Sequence, residues 1–326
     1  MRRRDALRLG GSALIAPYVA GCDRLVVLGP LSPELLPITP NDEFYVYSYA
    51  GTPSFDGEAH EMLLVHEDTE LARFDLAFLS TLASREREHT LECIGARPRN
   101  QDIGNAVWGG VPLTELLDAL GVSVPESAVG LRLVGMDDYD AGVAIEDLLS
   151  PIWIVWLMNG VPLPVEHGFP ARLLVPGRYG VKNLKWIREI AFVDEPHVSY
   201  WTAVGWSEEA VYRPNTFVVT PIDGVEAKTG ELVRFVGTAF AGLDEIGAVE
   251  VRVDGGSWQP ATLDYQNGPQ VWTLWSWEWM ASGEGNHMVQ VRCTTVAGEQ
   301  SVAVAEGTSL LDGYNGSMTI GVRVTA

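Results

Sequence analysis

The sequence predicts an α+β domain followed by an antiparallel β-sandwich. The chain has 326 residues, 47% of them hydrophobic, more than one core ordinarily holds, since single cores stop growing near roughly 250–300 residues. Between Asn41 and Val211 short strand-like and helix-like runs alternate without a strict βαβ rhythm. From Tyr212 onward the runs become short, evenly spaced and separated by turn residues, the pattern of a sandwich. The expected division is a leader over 1–22, a linker over 23–40, a first domain over 41–211 and a sandwich over 212–326.

The leader begins with Arg2-Arg3-Arg4 and continues into an apolar run, Leu9 to Ala20, too short and too rich in small residues for a membrane span. Arg3-Arg4-Asp5-Ala6-Leu7-Arg8 resembles the twin-arginine export signal, with Ala6 where that signal more often has phenylalanine. Such export carries folded proteins, so the resemblance implies a periplasmic or extracytoplasmic location. Val19-Ala20-Gly21-Cys22 resembles a lipobox, which implies a lipid anchor at Cys22; the alternative is a cleaved signal peptide with a coincidental cysteine. Prolines at 30, 33, 37 and 40 then suggest a stalk.

In the first domain, Phe44–Tyr49 and Glu61–Val65 read as strands, and Phe74–Leu82 has helical spacing. Arg85–Leu91 leads into a loop at Cys93. Val111–Gly121 reads as a helix with Pro112 in its first turn and Gly121 as its stop. Leu131–Val134 is a strand, Ile145–Leu149 a short helix, and Trp153–Met158 a buried strand closed by the turn Asn159-Gly160.

The formal net charge of −21 argues against nucleic acid or an anionic membrane surface as partner, because those need a basic patch. The three cysteines, Cys22, Cys93 and Cys293, are too scattered for a disulfide framework. There is no CxxCH, so no covalently attached haem is expected on this chain, and no GxGxxG or Walker-type loop.

Chemistry is expected at Leu91-Glu92-Cys93-Ile94-Gly95-Ala96-Arg97-Pro98-Arg99, where Gly95 and Pro98 force a loop and two arginines follow the cysteine. Neighbouring positive charge favours the thiolate, the form that attacks or binds metal; the competing reading is a small buried hydrophobe. A second stretch, His167 to Trp186, sets His167 and Arg172 before an apolar strand and follows it with a glycine loop holding Lys182 and Lys185. Those cations suit a phosphate-bearing polar ring system, or else form a solvated basic loop.

Taken together, Asn159-Gly160-Val161-Pro162-Leu163-Pro164, the HGFPxR core at His167–Arg172 and PGxxGxxxxKW from Pro176 to Trp186 resemble the molybdenum-cofactor domain of the sulfite oxidase family. The Cys93 loop and Trp108, before Gly109-Gly110, match in order and rough spacing. The resemblance implies a molybdenum–molybdopterin cofactor with Cys93 as metal ligand, a soft sulfur donor for a metal also held by a dithiolene. It implies that Tyr45, Tyr47, Ser48, Tyr49, Asp137, His167, Arg172, Asn183, Leu184 and Lys185 contact the cofactor, and that Cys93, Arg97, Trp108, Tyr47 and Trp206 form the catalytic set. Departures bear on the substrate. Where the family has FFVRNH this chain has Phe44-Tyr45-Val46-Tyr47-Ser48-Tyr49, so Tyr47 replaces an arginine and Tyr49 a histidine. Of the family's paired arginines after the cysteine, Arg97-Pro98 keeps one, with Arg99 a possible spatial substitute, and Trp206 falls where the family has a tyrosine. A desolvated oxyanion needs charged partners, so a neutral or more apolar small-molecule substrate is expected.

The sandwich strands are expected at 217–219, 231–240, 247–253, 258–263, 271–277, 286–294 and 319–324. Val249 to Trp258 resembles the immunoglobulin-like dimerisation domain of the same family, which implies a homodimer. Cys293 is expected in its core, and so is the Trp272, Trp275, Trp277 and Trp279 cluster, the alternative being that the cluster faces a partner. The resulting expectation is an exported oxidoreductase performing two-electron oxygen-atom transfer and exchanging electrons with a separate cytochrome or quinone-linked carrier. The competing expectation is a non-catalytic, lipid-anchored binding or scaffold protein that retains the fold.

Overall fold

The computed structural model describes residues 35–97, 102–148, 151–303 and 311–326. The leader, Cys22, most of the linker and Arg99 lie outside the described residues. The end of the expected stalk is packed: Thr39 is buried and its N–H donates to the Asn105 carbonyl at 2.8 Å, while the Pro37 carbonyl accepts from Asn105 and from the Trp272 indole.

Two sheets make up the N-terminal part. In one, Met62–His66 pairs parallel with Ile187–Val193 and antiparallel with Thr69–Phe74, and Gly130–Gly135 joins Ile187–Val193 to Asp140–Ala144. In the other, Arg85–Glu92, Ile103–Pro112 and Trp153–Met158 run antiparallel, with Val161–Pro162 and Arg172–Leu174 also pairing with Trp153–Met158. Leu64, Leu131, Leu133, Ile190 and Phe192 of the first sheet share one core with Val111, Ile154, Trp156 and Leu173 of the second. Helix Leu113–Leu120 adds Leu113, Leu116 and Leu117 to it, an apolar stripe at helical spacing. Gly121 ends that helix at φ 69, a left-handed conformation that glycine takes without a Cβ clash.

The described residues are mostly β: their α-helices span 4, 8 and 4 residues, so the α+β expectation holds only loosely. The expected helix over 74–82 shrinks to Leu76–Leu79 because Phe74 is claimed by the strand Thr69–Phe74, and Asp75 caps the helix by accepting from the Phe78 N–H at 2.7 Å. Ser80 and Thr81 then turn their hydroxyls back onto the Leu76 and Phe78 carbonyls, which competes with continuing the helix. Pro112 ends a strand and caps the next helix from outside, one position earlier than expected. Phe44–Tyr49 is not a strand. Its aromatic side chains fix it by packing and hydrogen bonding instead of a ladder.

The C-terminal part is a two-sheet sandwich, as the spacing of its strands predicts. One sheet orders Asn215–Thr220, Leu232–Phe240, Thr273–Met280 and Thr262–Tyr265; the other orders Val225–Lys228, Gly316–Thr325, Gly285–Thr295, Ile246–Val253 and Gln259–Pro260. Phe235, Trp275 and Trp277 face Val249, Val251, Val289, Val291 and Ile320 across the shared core, where Cys293 is fully buried. Trp279 sits at the margin beside His287, and Trp272 packs with Ile94, Ile103 and Tyr179 between the two parts.

Candidate active site

Three strand ends bring the chemistry-bearing residues together. Cys93 directly follows Arg85–Glu92, the Val175-to-Lys185 loop follows Arg172–Leu174, and Asp137 follows Gly130–Gly135. Gly180 joins the first two: a Cβ there would stand 3.0 Å from the Tyr45 hydroxyl, 3.4 Å from the Glu92 carbonyl and 3.9 Å from the Cys93 Cα. A Cβ there would crowd the Tyr45 hydroxyl and stand in ordinary contact with the backbone of Glu92 and Cys93. Gly135 joins the third, since a Cβ there would meet the Asp137 carboxylate at 2.6 Å and the Lys185 carbonyl at 3.0 Å.

Cys93 is half-buried, and the turn holding it is closed by Cys93 N–H to the Asp102 carbonyl at 2.9 Å and Ala96 N–H to the Cys93 carbonyl at 2.8 Å. The Gly95 N–H points at Sγ from 3.4 Å, a donor placed to stabilise negative charge on sulfur. Arg97 donates to the Ile94 and Ala96 carbonyls; burial lowers its pKa, while Cys93, Tyr179 and Glu92 act in the opposite direction. Glu92 is fully buried, and desolvation raises its carboxyl to about 8 against the hydrogen bonds from Asn215.

Arg172 is buried and has no carboxylate partner among the described residues. It donates to the His167 and Asn183 carbonyls at 3.1 and 3.2 Å and lies 5.0 Å over the Trp108 ring, and burial lowers its pKa to about 10. Its Nε is sealed from solvent and has no hydrogen-bond acceptor among the described residues. His167 Nε2–H donates to the Asn41 carbonyl at 2.8 Å, and burial lowers its pKa to about 4, which keeps the ring neutral. Lys185 donates to the Glu166 carbonyl at 2.8 Å and stands 4.0 Å over the Trp186 ring, its pKa lowered to about 7 chiefly by burial. Trp186 takes φ 51, costly for a bulky residue, and its indole is tied to the Val165 carbonyl at 2.6 Å. Asp137 accepts from the Tyr139 N–H, and its pKa is raised by burial.

Tyr45 connects the two sides. Its ring stacks on Phe44 at 5.3 Å, Phe44 packs edge-on to both Trp108 and His167, and the Tyr45 hydroxyl interacts electrostatically with both Cys93 and Arg172. Burial, then the charge of Cys93, raises its pKa well above the usual range. Tyr47 donates to Asp102 at 2.8 Å, and Ser48 is half-buried beside it. Tyr49 meets Tyr139, Tyr200 and Trp201, and Trp201 meets Trp206 at 5.9 Å, giving an aromatic wall that reaches the surface at Tyr200.

Several expected roles change in the structure. Trp108 has no exposed surface, and its indole is spent on the His89 carbonyl at 2.9 Å, so it supports Arg172 from behind and does not reach a substrate. Asn183 uses its amide within the loop, donating to the Arg178 and Tyr179 carbonyls and accepting from Val175, so its side chain shapes the cradle. The Leu184 side chain lies in the core. Lys182 and Lys185 do not form one anion site: buried Lys182 is committed to the Gly142 carbonyl and Glu208 at 2.7 and 3.1 Å. Asp102, Gly180, Tyr139 and Trp201 were not anticipated, and of these only Gly180, inside the glycine loop, carries a local sequence signal.

Comparison with known proteins accords with this geometry. The family described as "Oxidoreductase molybdopterin binding domain" matches residues 49–201. The chain is 26% identical to the mitochondrial sulfite oxidase of Homo sapiens over 87% of its length and 58% of that protein's. It is 27% identical to the NADH nitrate reductase of Cichorium intybus over 74% of its length and 33% of that protein's. It thus spans a little over half of the sulfite oxidase and a third of the nitrate reductase. The sulfane dehydrogenase SoxCD structure from Paracoccus pantotrophus shares the fold, with a TM-score of 0.76 at 20% identity over 91% of this chain and 86% of that one.

Proposed function

We propose, from the molybdopterin-binding oxidoreductase domain carried over residues 49–201, that the chain is a molybdenum-dependent oxidoreductase acting on a small, uncharged substrate. One observation carries the reading: Gly180 brings a loop flanked by buried cations against Cys93, and Arg172 holds an unpaired Nε in the same surroundings. An unpaired buried donor calls for a partner such as a ligand, an ion or water, and the cationic donor set fits an anionic pterin cofactor. Cys93 would ligate the metal, while Arg172, Lys185 and neutral His167 would hold the phosphate and pterin, with Tyr45 between. When bound, the molybdenum cofactor supplies two-electron redox and oxygen-atom exchange.

The protein's own part is placement. The Gly95 N–H and Arg97 favour negative charge on the Cys93 sulfur. Tyr47 is committed to Asp102, and Tyr49 and Trp206 belong to the aromatic wall, so these positions offer a substrate ring faces and hydroxyls in place of cations. Such a set of side chains disfavours sulfite and favours a neutral sulfoxide-like or amine-oxide-like group, in either direction of oxygen transfer. Export with a lipid anchor at Cys22, an immunoglobulin-like dimerising sandwich over 212–326 and a separate cytochrome or quinone-linked carrier complete the proposal, on the sequence features already described. The rival scaffold reading is disfavoured, because the chain keeps Cys93, His167, Arg172 and Lys185 at the positions the family resemblance assigns to cofactor binding.

Metal analysis tests this reading: purified protein should hold about one molybdenum per chain and Cys93→Ser should lose it. Turnover with sulfoxides and N-oxides but not with sulfite is expected. Full occupancy in Cys93→Ser, or sulfite as the preferred substrate, would contradict it.

A further inference from the structure

The strand that presents Cys93 is bound along nearly its whole distal half to the C-terminal sandwich. Arg87 and His89 both reach the Gln270 side-chain oxygen, and Glu88 accepts from Tyr265 and Asn267. The Thr90 N–H donates to the Gln270 carbonyl at 2.8 Å, and the Thr90 hydroxyl accepts from the Trp272 N–H at 2.8 Å. Glu92 closes the row: its N–H donates to the Tyr212 hydroxyl at 3.3 Å, and the Asn215 amide donates to its two carboxyl oxygens at 3.1 and 3.0 Å in a fully buried contact. Residues 87, 88, 89, 90 and 92 therefore all bond to residues 212–272, and the next residue is the cysteine. On its other edge the same strand pairs with Ile103–Pro112, so it cannot shift without breaking one set or the other.

We infer that the C-terminal sandwich is part of the site: Asn215, Tyr212 and Gln270 are positioning residues that fix the Cys93 thiol through the strand Arg85–Glu92. The inference goes beyond the cofactor assignment, because the position of the thiol is set whether or not a metal is bound. Buried polar contacts specify geometry strongly, since an unmade one is costly. Loss of the Asn215 amide leaves the Glu92 carboxyl buried with one donor fewer and frees the residue immediately before the cysteine.

The test uses the cofactor-free full chain and iodoacetamide, with peptide mass spectrometry reporting Cys93 and Cys293 separately. Asn215→Leu should raise the Cys93 alkylation rate at least fivefold, and Glu92→Gln, which keeps an oxygen acceptor for Asn215, should leave it within twofold of wild type. Gln270→Gly removes the contacts to Arg87 and His89 at a position whose φ of 68 glycine tolerates, and it should give a smaller rise. It carries the test alone if Asn215→Leu does not fold. Buried Cys293 donates its thiol to the Asn215 carbonyl at 3.3 Å, so it is the internal control in Gln270→Gly, where its rate should not change. In cofactor-loaded protein the same variants should shift the molybdenum(V) electron paramagnetic resonance g-values. The inference is overturned if Cys93 alkylation is unchanged in both Asn215→Leu and Gln270→Gly, or if Cys93 and Cys293 rise together in Gln270→Gly, which would mark general loosening.

Discussion

Replacing Arg172 by methionine should separate holding a cofactor from holding the fold. The guanidinium is buried with no carboxylate bonded to it among the described residues, and burial lowers its pKa from 12.5 to about 10. At about 1.4 kcal/mol per pKa unit, keeping it charged costs about 3 kcal/mol. Methionine removes that cost and fills similar volume over the Trp108 ring. It also leaves the His167 and Asn183 carbonyls without their donor, at roughly 1–3 kcal/mol each. The two effects oppose each other, so cofactor-free Arg172→Met should unfold within about 3 kcal/mol of wild type. Holding a phosphate is different. Loss of a charge-assisted hydrogen bond of roughly 1.5–3 kcal/mol lowers occupancy by about ten- to a hundredfold. Urea unfolding of the cofactor-free protein, beside molybdenum and pterin content of the protein purified from a cofactor-making host, gives both numbers. A variant that fills with cofactor like wild type, or that loses cofactor only in proportion to lost stability, refutes this role for Arg172.

Other expectations follow from the same geometry. Tyr47→Arg alone should improve sulfite turnover little, because Asp102 would pair with the new arginine; Tyr47→Arg combined with Asp102→Asn should raise kcat/KM for sulfite at least tenfold, about 1.4 kcal/mol, in steady-state assays. His89 and His167 are lowered by burial to about 3 and about 4. The unfolded chain therefore binds their protons more readily, and the stability present at neutral pH is lost as pH falls from about 6.5 toward 4, at up to about 1.4 kcal/mol per pH unit per histidine. His89→Gln should flatten that slope in denaturant titrations taken across the window. Leu116→Ala, in the core under the site, should cost about 2–5 kcal/mol without changing the cofactor content of the folded fraction.

The parts of the fold written in short-range pattern were readable from the sequence. Alternation along Leu232–Phe240, Ile246–Val253 and Gly285–Thr295, with a turn at Asp254-Gly255, follows from period-two burial and is local. The HGFPxR and PGxxG stretches stood out through their family resemblance and their mix of histidine, cations and glycine, and the structure buries His167 and Arg172 and sets Gly180 against the Cys93 turn. The Phe44–Tyr49 segment departs from the expected strand because alternating aromatics fit a strand as well as an irregular segment whose rings pack on Trp108, His167 and Tyr139. The helix at Phe74–Leu82 was overextended because nothing local shows that Phe74 pairs with Met62. The bonds joining Glu92 to Asn215 and Tyr47 to Asp102 span 123 and 55 residues, and Asn215 and Asp102 are ordinary polar letters where they stand. Partners of that kind appear only once the chain is folded.

X-ray absorption at the molybdenum edge, comparing wild type with Cys93→Ser, bears most directly on the claim that this thiol is the protein's hold on the metal. Wild type should show the sulfurs of the pterin plus one more, and Cys93→Ser should show one sulfur neighbour fewer on whatever metal it retains. An identical sulfur shell in the two proteins would contradict the account.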